Sequence, residues 1–212
     1  MSSERILHVY SDSRKDEQGE TWEAFERIDS MFKVEHVHAL GVNDYADTIR
    51  DNWGEGHDLV IIEQDIVATP DHIRELITCR NSLCCFPYLV KSDRQDTYSI
   101  FNFTDRSKPD NWKTYDGDRY IDRVKIERKP EYCGLSGFGL TKLGVKAQKL
   151  VDFARLYDLD RWDIIDSWLS LRLYEKIGNN QIFHIHYPPV KHNHLSEGDG
   201  PNKERHGNLL VF

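Results

Sequence analysis

Two carboxylates two positions apart, Glu63 and Asp65, follow directly after the run Asp58–Ile62 (DLVII). A short, continuous apolar run is typical of a strand that is buried on both faces of a parallel sheet. Ligands of open α/β sheets bind beyond the carboxyl ends of the strands, and Mg²⁺ or Mn²⁺ often combines one or two carboxylates with substrate phosphates. The pair therefore predicts a metal–diphosphate site. The alternative is that both acids end the strand in solvent.

Four histidines fall within eleven residues: His184, His186, His192 and His194. His184 and His186 alternate along the predicted strand Gln181–His186, so they point to the same face. The other two follow a pair of prolines, where the chain can turn back. Because imidazole suits Mn²⁺ and zinc, we expect at least one of the four to bind a ligand. The alternative is a set of satisfied core or solvent-facing histidines.

Asp163 and Asp166 lie in the first turn of a helix predicted over Asp163–Ile177, which ends at Gly178. A carboxylate in a first helical turn is stabilised by the helix dipole and stays ionised. An ionised carboxylate near an acceptor hydroxyl can act as a general base. The competing interpretation is an ordinary helix cap.

The spacing of apolar residues predicts the strands and helices that position these groups. In the N-terminal third, strands and helices alternate: strand Arg5–Ser11, helix Glu20–Met31, strand Lys33–Leu40, helix Asp44–Trp53 and strand Asp58–Ile62. This alternation predicts βαβ units, a parallel sheet and a three-layer α/β domain.

The rest of the chain is less regular. Helices are predicted over Pro70–Arg80 and over Thr141–Tyr157, the second with Thr141 as its N-cap. Cys85–Val90 is predicted to be a short edge segment, and Gly134–Gly139 a glycine-rich turn. The polar stretch Lys91–Lys129 is expected to leave the core as an excursion with short strands at Ser99–Phe103 and Arg123–Glu127.

Composition excludes several classes of protein. The 212 residues carry 28 basic and 36 acidic side chains, and a net charge of −8 argues against general nucleic-acid binding. No stretch approaches the roughly 18 apolar residues of a membrane span, and the first residues lack the apolar core of a signal peptide. The cysteines, Cys79, Cys84, Cys85 and Cys133, form no CxxC pair, which disfavours a zinc ribbon. Reduced thiols are expected, with one bridge from the Cys79–Cys85 region to Cys133 as the alternative.

Taken in order, these segments resemble the GT-A fold glycosyltransferases. Ile61–Ile66 (IIEQDI) resembles their strand-ending DxD motif in an ExD form. Cys133–Thr141 (CGLSGFGLT) is similar to their glycine-rich acceptor-side segment. Asp166–Leu173 (DSWLSLRL) matches the "ED" motif that opens a helix in inverting members, with Ile165 where the preceding acid is usual. His192, or His194 as second choice, occupies the place of a histidine that closes the metal site in several of these enzymes.

The resemblance implies a three-layer α/β/α, Rossmann-like GT-A fold with a mixed, mostly parallel sheet. A single catalytic domain would span residues 1–195, with a nucleotide-binding half over about 1–90 and an acceptor half over about 91–195. Residues 196–212 would form a polar tail. The small size resembles compact viral and phage glycosyltransferases, which implies a cytoplasmic location, that of the host for a viral protein.

The implied activity is metal-dependent transfer of a sugar from a nucleoside-diphosphate sugar to a hydroxyl of a glycan or protein acceptor, with inversion. Asp65 with His192 or His194 would hold Mn²⁺ or Mg²⁺. Tyr10, Ser11, Glu63 and Asp65 would lie against the nucleotide, and Asp166 or Asp163 would be the base. Two other functions remain open from the residues: a metal-dependent hydrolase that uses the Asp/His groups, and a non-catalytic sugar-nucleotide-binding module.

Overall fold

The structure is a computed structural model and describes residues 4–10, 19–39, 44–90, 97–105, 112–113, 120–153 and 165–193. Its strands are β1 (Glu4–Tyr10), β2 (Val34–His38), β3 (Asp58–Glu63), β4 (Ile66–Val67), β5 (Leu83–Cys85), β6 (Leu89–Val90), β7 (Thr97–Tyr98), β8 (Ile100–Thr104), β9 (Trp112–Lys113), β10 (Tyr120–Arg123), β11 (Tyr132–Cys133), β12 (Leu135–Ser136), β13 (Leu140–Leu143), β14 (Phe183–Ile185) and β15 (Lys191–His192). Its helices are α1 (Gly19–Asp29), α2 (Asp44–Asn52), α3 (Pro70–Thr78), α4 (Val145–Gln148) and α5 (Ile165–Ile177).

Seven strands form the central sheet in the order β11-β14-β5-β13-β3-β1-β2. β1 pairs in parallel with β2 and with β3, and β14 pairs in parallel with β5. β13 is antiparallel to β3 and β5, and β11 is antiparallel to β14. Five strands therefore run in one direction and two in the other. The predicted α/β class with a mixed, mostly parallel sheet is confirmed at this level.

Apolar side chains alternate between the two faces of the sheet, as β3 shows most clearly. Leu59 and Ile61 join an apolar cluster with residues of α2 and α5, while Val60 and Ile62 join a second cluster with residues of α1 and α3. All four side chains are fully buried. Helices therefore cover both faces, and the prediction of a strand buried on both sides is confirmed.

The helix boundaries follow local signals. α3 begins with Pro70 after the N-cap Thr69, whose hydroxyl accepts from the His72 amide while the His72 ring accepts from the Thr69 amide. α5 ends where Gly178 takes a positive φ of 79°, a conformation that glycine adopts without steric cost. Both boundaries agree with the sequence prediction.

The predicted helix over Thr141–Tyr157 is wrong in its first part, because Leu140–Leu143 is β13, an inner strand of the sheet. Lys142 in this strand is only 3% exposed, and its ammonium group donates to the Cys79 carbonyl at 2.7 Å and lies 3.9 Å from Asp58 Oδ2. These partners stabilise a buried cation inside the sheet. Because Lys142 interrupts the apolar pattern of the strand, the sequence pattern wrongly indicated a helix. The helix that follows is short, Val145–Gln148, and residues 154–157 lie outside the described ranges.

Two further predictions need correction. Cys85–Val90 was expected at an edge, but its first residue belongs to β5, which lies between β13 and β14 inside the sheet. Ser99–Phe103 corresponds to β8, while Arg123–Glu127 covers only the end of β10 and the start of a 3₁₀ turn, Ile126–Arg128. Three strands of the excursion, β8, β9 and β10, join β12 in a separate four-stranded sheet in the order β12-β8-β10-β9, while β7 pairs with β6.

None of the helices in the described part of the chain has the length and apolar character needed to cross a membrane.

Candidate functional site

His192 lies beside Asp65 because two short strands pair behind the acidic motif. β15 is antiparallel to β4, with His192 opposite Ile66, and the Asn193 amide donates to the Asp65 carbonyl at 2.8 Å. This pairing places His192 Nε2 3.0 Å from Asp65 Oδ2, with the two side chains 10% and 14% exposed. His192 Nδ1 lies 3.1 Å from the Leu89 carbonyl oxygen, to which it donates. That contact fixes the orientation of the ring, with Nε2 directed to the carboxylate.

The pKa of His192 is raised by its acidic surroundings. Burial opposes the charged imidazolium, but the hydrogen bond to Asp65 and its charge, the Leu89 carbonyl and the charge of Glu63 outweigh that effect. The ring is therefore stabilised as a cation by the same groups that would attract a divalent ion. This part of the site has an excess of negative charge.

Glu63 ends β3 and accepts a hydrogen bond from Tyr45, a residue that no sequence motif singles out. The Tyr45 hydroxyl donates to Glu63 Oε1 at 2.7 Å, and the Glu63 amide donates to the Gly139 carbonyl at 2.8 Å. Burial, and then the charges of Asp65 and Asp166, raise the pKa of Glu63 to about 7, while Tyr45 and His192 act in the opposite direction. Three carboxyl groups thus influence one another at the end of this strand.

We expect the substitution Glu63→Gln to change the pH dependence of stability in metal-free protein. Native Glu63, with a pKa of about 7 against an ordinary value of 4.5, keeps a proton that the unfolded chain has lost. Its contribution to stability is therefore lost as pH rises from about 4.5 to about 7. Relative to wild type, the variant should gain up to about 3 kcal/mol between pH 5 and pH 8.

Urea unfolding of both proteins with a chelator present, at intervals across that pH range, measures this effect. The difference between the two proteins isolates the effect of Glu63 from that of other titrating groups. One such group is His8: burial, and then the neighbouring His36, lowers its pKa to about 3. A difference that stays constant with pH would contradict the assignment.

Tyr88 is buried beside the acids and packs against His192, with the ring centroids 4.8 Å apart at 64°. Burial, followed by the charges of Glu63, Asp166 and Asp65, raises its pKa well above the ordinary value. The glycine-rich segment makes room for this ring. A Cβ on Gly137 would lie 2.3 Å from the Tyr88 hydroxyl oxygen, and a Cβ on Gly139 would lie 2.5 Å from a ring carbon of Tyr88.

The substitution Gly137→Ala should destabilise the protein by about 1–3 kcal/mol, because the new methyl group overlaps the Tyr88 hydroxyl. In a Tyr88→Phe background the nearest ring carbon is 3.2 Å away, so the same change should cost much less. A double-mutant cycle by chemical denaturation measures this coupling. Equal costs in both backgrounds would show that Tyr88 is not what the glycine accommodates.

Tyr10 lies at the same edge of the sheet as the acids. Val9 of β1 is in register with Glu63 of β3, so Tyr10 is one position beyond it at the carboxyl end. The Tyr10 ring stacks on the ring of His38 in β2, with centroids 4.8 Å apart and planes 11° apart. Two stacked aromatic rings therefore lie at the carboxyl ends of β1 and β2, at the edge of the sheet where β3 ends in Glu63.

Asp166 lies in the first turn of α5 and is half-buried. Its Oδ1 accepts from the Ser167 amide at 2.6 Å and from the Ser167 hydroxyl at 3.3 Å. Its charge raises the pKa values of Glu63, Tyr45 and Tyr88 alongside burial and nearer groups. The start of α5 is therefore close enough to act electrostatically on the same site.

The structure thus brings together Glu63, Asp65 and His192, places Asp166 within electrostatic range of Glu63, and puts Tyr10 at the same sheet edge. Ser11, Asp163 and His194 lie outside the described residues, as does the tail 196–212. Tyr45 and Tyr88 were not predicted, because their roles arise from contacts between elements that are distant in sequence. All four cysteines are free, so the bridge to Cys133 considered from the sequence does not form.

The donors at Asp65 and His192 fit a divalent cation. Burial and then the charges of Asp65 and Asp166 raise the pKa of Glu63, and Asp65 raises that of His192 against the effect of its burial. A divalent ion neutralises such neighbouring carboxylate charge. A carboxylate oxygen and an imidazole nitrogen suit Mn²⁺, which tolerates mixed ligands, better than Mg²⁺. Glu63, already bound by Tyr45, would support the site electrostatically.

Comparison with known proteins assigns no family. No protein-family model matches the chain, and no curated protein sequence matches it. Among solved structures, the chain is similar to the crystal structure of A197 from STIV, with a TM-score of 0.42 and 9% sequence identity. The match covers 93% of this chain and 99% of that chain.

Proposed function

We propose that the chain is a metal-dependent glycosyltransferase of the GT-A type, which transfers a sugar from a nucleoside-diphosphate sugar to an acceptor hydroxyl. The observation that supports this most strongly is the contact between His192 and Asp65 at the carboxyl end of β3. That contact joins the acidic motif to a histidine far away in the sequence. Helices on both faces of the sheet, and the β-α-β-α-β order of its first half, favour the GT-A form of the α/β class.

In this proposal Asp65 and His192 hold the cation against the diphosphate. A bound Mn²⁺ or Mg²⁺ supplies Lewis-acid stabilisation of the charge that grows on the departing nucleoside diphosphate. The chain's own residues orient the ligands: Leu89 fixes the His192 ring, and Tyr45 holds Glu63. Tyr88, packed on His192, limits the access of water to this side of the site.

Asp166 would take the proton of the acceptor hydroxyl as that oxygen attacks the anomeric carbon, which gives inversion in a single displacement. The Ser167 amide and hydroxyl both donate to Oδ1, which holds the carboxylate at the start of α5. The dipole of α5 favours the ionised carboxylate that a base requires.

The Tyr10 and His38 rings would flank the nucleoside at the carboxyl ends of β1 and β2. Their position at these strand ends, with Tyr10 one residue beyond the register partner of Glu63, agrees with the rule that ligands of α/β sheets bind there. The proposal includes a reducing, cytoplasmic location, which the four free cysteines favour. It includes neither a nucleic-acid partner nor a membrane span.

The test is a thermal-shift series with UDP, GDP, CDP and dTDP, each with and without Mn²⁺. A ligand that binds only the native state raises the unfolding midpoint by linkage. One diphosphate should give a Mn²⁺-dependent shift and thereby identify the nucleobase. A shift with Mn²⁺ alone, to which no nucleotide adds, would favour the hydrolase. Nucleotide binding without turnover of any nucleotide sugar would favour the binding module.

A further inference from the structure

We propose that Cys79, Cys84, His184 and His186 form a tetrahedral Zn²⁺ site, separate from the acidic site and with a structural role. One ligand atom from each of these four side chains lies within 4.8 Å of those of the other three. Cys84 and His186 are buried, and Cys79 and His184 are half-buried. Two thiolates and two imidazoles are a standard ligand set for structural zinc.

The sheet topology places these ligands together. β14 is parallel to β5, and His184 of β14 is in register with Cys84 of β5. His186 lies two residues beyond His184 and therefore on the same face, with the two ring centroids 4.8 Å apart. Cys79 follows directly after α3, where its amide donates to the Glu75 carbonyl at 3.0 Å and closes the helix. The site would therefore connect one end of α3 to two strands.

The distances are close to those of a bound ion. Zn–S bonds of about 2.3 Å and Zn–N bonds of about 2.0–2.1 Å in a tetrahedron put neighbouring ligand atoms about 3.3–3.8 Å apart. Cys79 Sγ already lies 3.8 Å from His184 Nδ1. Because the largest separation in the group is 4.8 Å, side-chain adjustments of about 1 Å complete the geometry.

His186 gives independent support for a metal ligand at this position. Its Nδ1 lies 2.6 Å from Glu75 Oε1, while its Nε2 is buried and has no hydrogen-bond partner. A buried polar atom without a partner is costly, and a metal ion would satisfy it. Histidine ligands of zinc characteristically donate a hydrogen bond to a carboxylate from the N–H of their other ring nitrogen, as His186 can to Glu75.

The charge balance with Zn²⁺ also suits a site with two thiolates. Two thiolates and Zn²⁺ have no net charge, so the centre can be buried without a counter-ion. Asn81 Nδ2 lies 3.8 Å from Cys79 Sγ, and Lys142 donates to the carbonyl of Cys79, which fixes the backbone of this ligand. Soft thiolate ligands select zinc over Mg²⁺ or Mn²⁺, so the two proposed sites would bind different metals.

The metal content of protein purified without added metal or chelator tests this proposal. We expect one zinc per chain, and after exchange with Co²⁺ the thiolate-to-cobalt charge-transfer absorption of a tetrahedral site. Cys84→Ser should lose the zinc and this absorption. Cys85→Ser is the matched control, because Cys85 is also buried in β5 but contacts the opposite apolar cluster. It should keep both.

Glu75→Gln should weaken zinc binding by about 10–100-fold in competition with a chelator, through loss of the carboxylate partner of His186. If Cys84→Ser does not fold, chelation and zinc re-addition to the wild-type protein decide the question, because zinc should raise its unfolding midpoint. Wild-type protein that neither contains nor takes up zinc would overturn the proposal. So would a Cys79–Cys84 disulfide in freshly purified protein, or equal zinc loss in Cys85→Ser.

Discussion

Asp65→Ala should abolish the metal-dependent binding of nucleoside diphosphate. Asp65 supplies the carboxylate in the contact with His192, so its loss removes one of the two protein donors and leaves the imidazole without its partner. At free ligand 100-fold above its dissociation constant, wild type should gain about 2.7 kcal/mol, or roughly 5–11 °C in unfolding midpoint for a chain of this size. The variant should gain nothing from the same ligand and Mn²⁺.

Two comparisons keep this result interpretable. Asp71→Ala removes an exposed carboxylate from α3, whose partner is Arg74, and should leave the shift unchanged. Because Asp65 and His192 are mostly buried, Asp65→Ala should also lower the stability of the ligand-free protein. Asp65→Asn keeps an acceptor for His192 and is the milder variant. A full Mn²⁺-dependent shift in Asp65→Asn and Asp65→Ala would rule out Asp65 as the metal ligand.

Asp166→Asn should keep nucleotide binding and lose turnover by about 10²–10⁴-fold, the usual contribution of a positioned general base. Asparagine can still accept the hydrogen bond from the Ser167 amide, so α5 should begin at the same residue. Its amide group, however, cannot take a proton from the acceptor hydroxyl. The assay measures transfer to an acceptor hydroxyl from nucleotide sugars that carry the base identified by the thermal-shift series.

Glu175→Gln is the matched control, since it removes an exposed carboxylate of the same helix that pairs with Arg172. It should leave turnover unchanged. Unaltered turnover in Asp166→Asn would exclude this residue as the base. Loss of both binding and turnover would instead indicate that Asp166 acts by supporting the nucleotide site.

The first half of the fold was predictable because its signals are local. The alternating strands and helices from β1 to β3 each have their own apolar periodicity, and α3 has a proline and a capping threonine at its start. β13 was not predictable in this way, because it is an inner strand that contains Lys142. The partners that make this lysine tolerable, Asp58 and the Cys79 carbonyl, are distant in sequence.

In the candidate site, too, the residues with local signals were predictable and those that depend on distant contacts were not. Glu63 and Asp65 follow from a simple rule about strand ends. His192 was one of four clustered histidines expected to include a ligand, and only the family resemblance singled it out. Tyr45 and Tyr88 have no sequence signal, since Tyr45 reaches Glu63 from α2 and Tyr88 packs on His192, a residue distant in sequence. The cysteine and histidine group had a partial signal. Cys79 and Cys84 have zinc-like spacing, but the two histidines are on a strand and only two residues apart.

The pairing of β15 with β4 also has a consequence for how the protein is made. β4 immediately follows the acidic motif, yet its partner strand is the last in the described chain. Lys191 of β15 pairs with Glu20 of α1, so this late segment also docks on an early helix. During synthesis the ribosome therefore releases the acidic residues long before their histidine. Residues of β1, β2 and β3 are therefore available to pair while Asp65 still lacks His192, and under the proposed function metal capture would be one of the last events of folding.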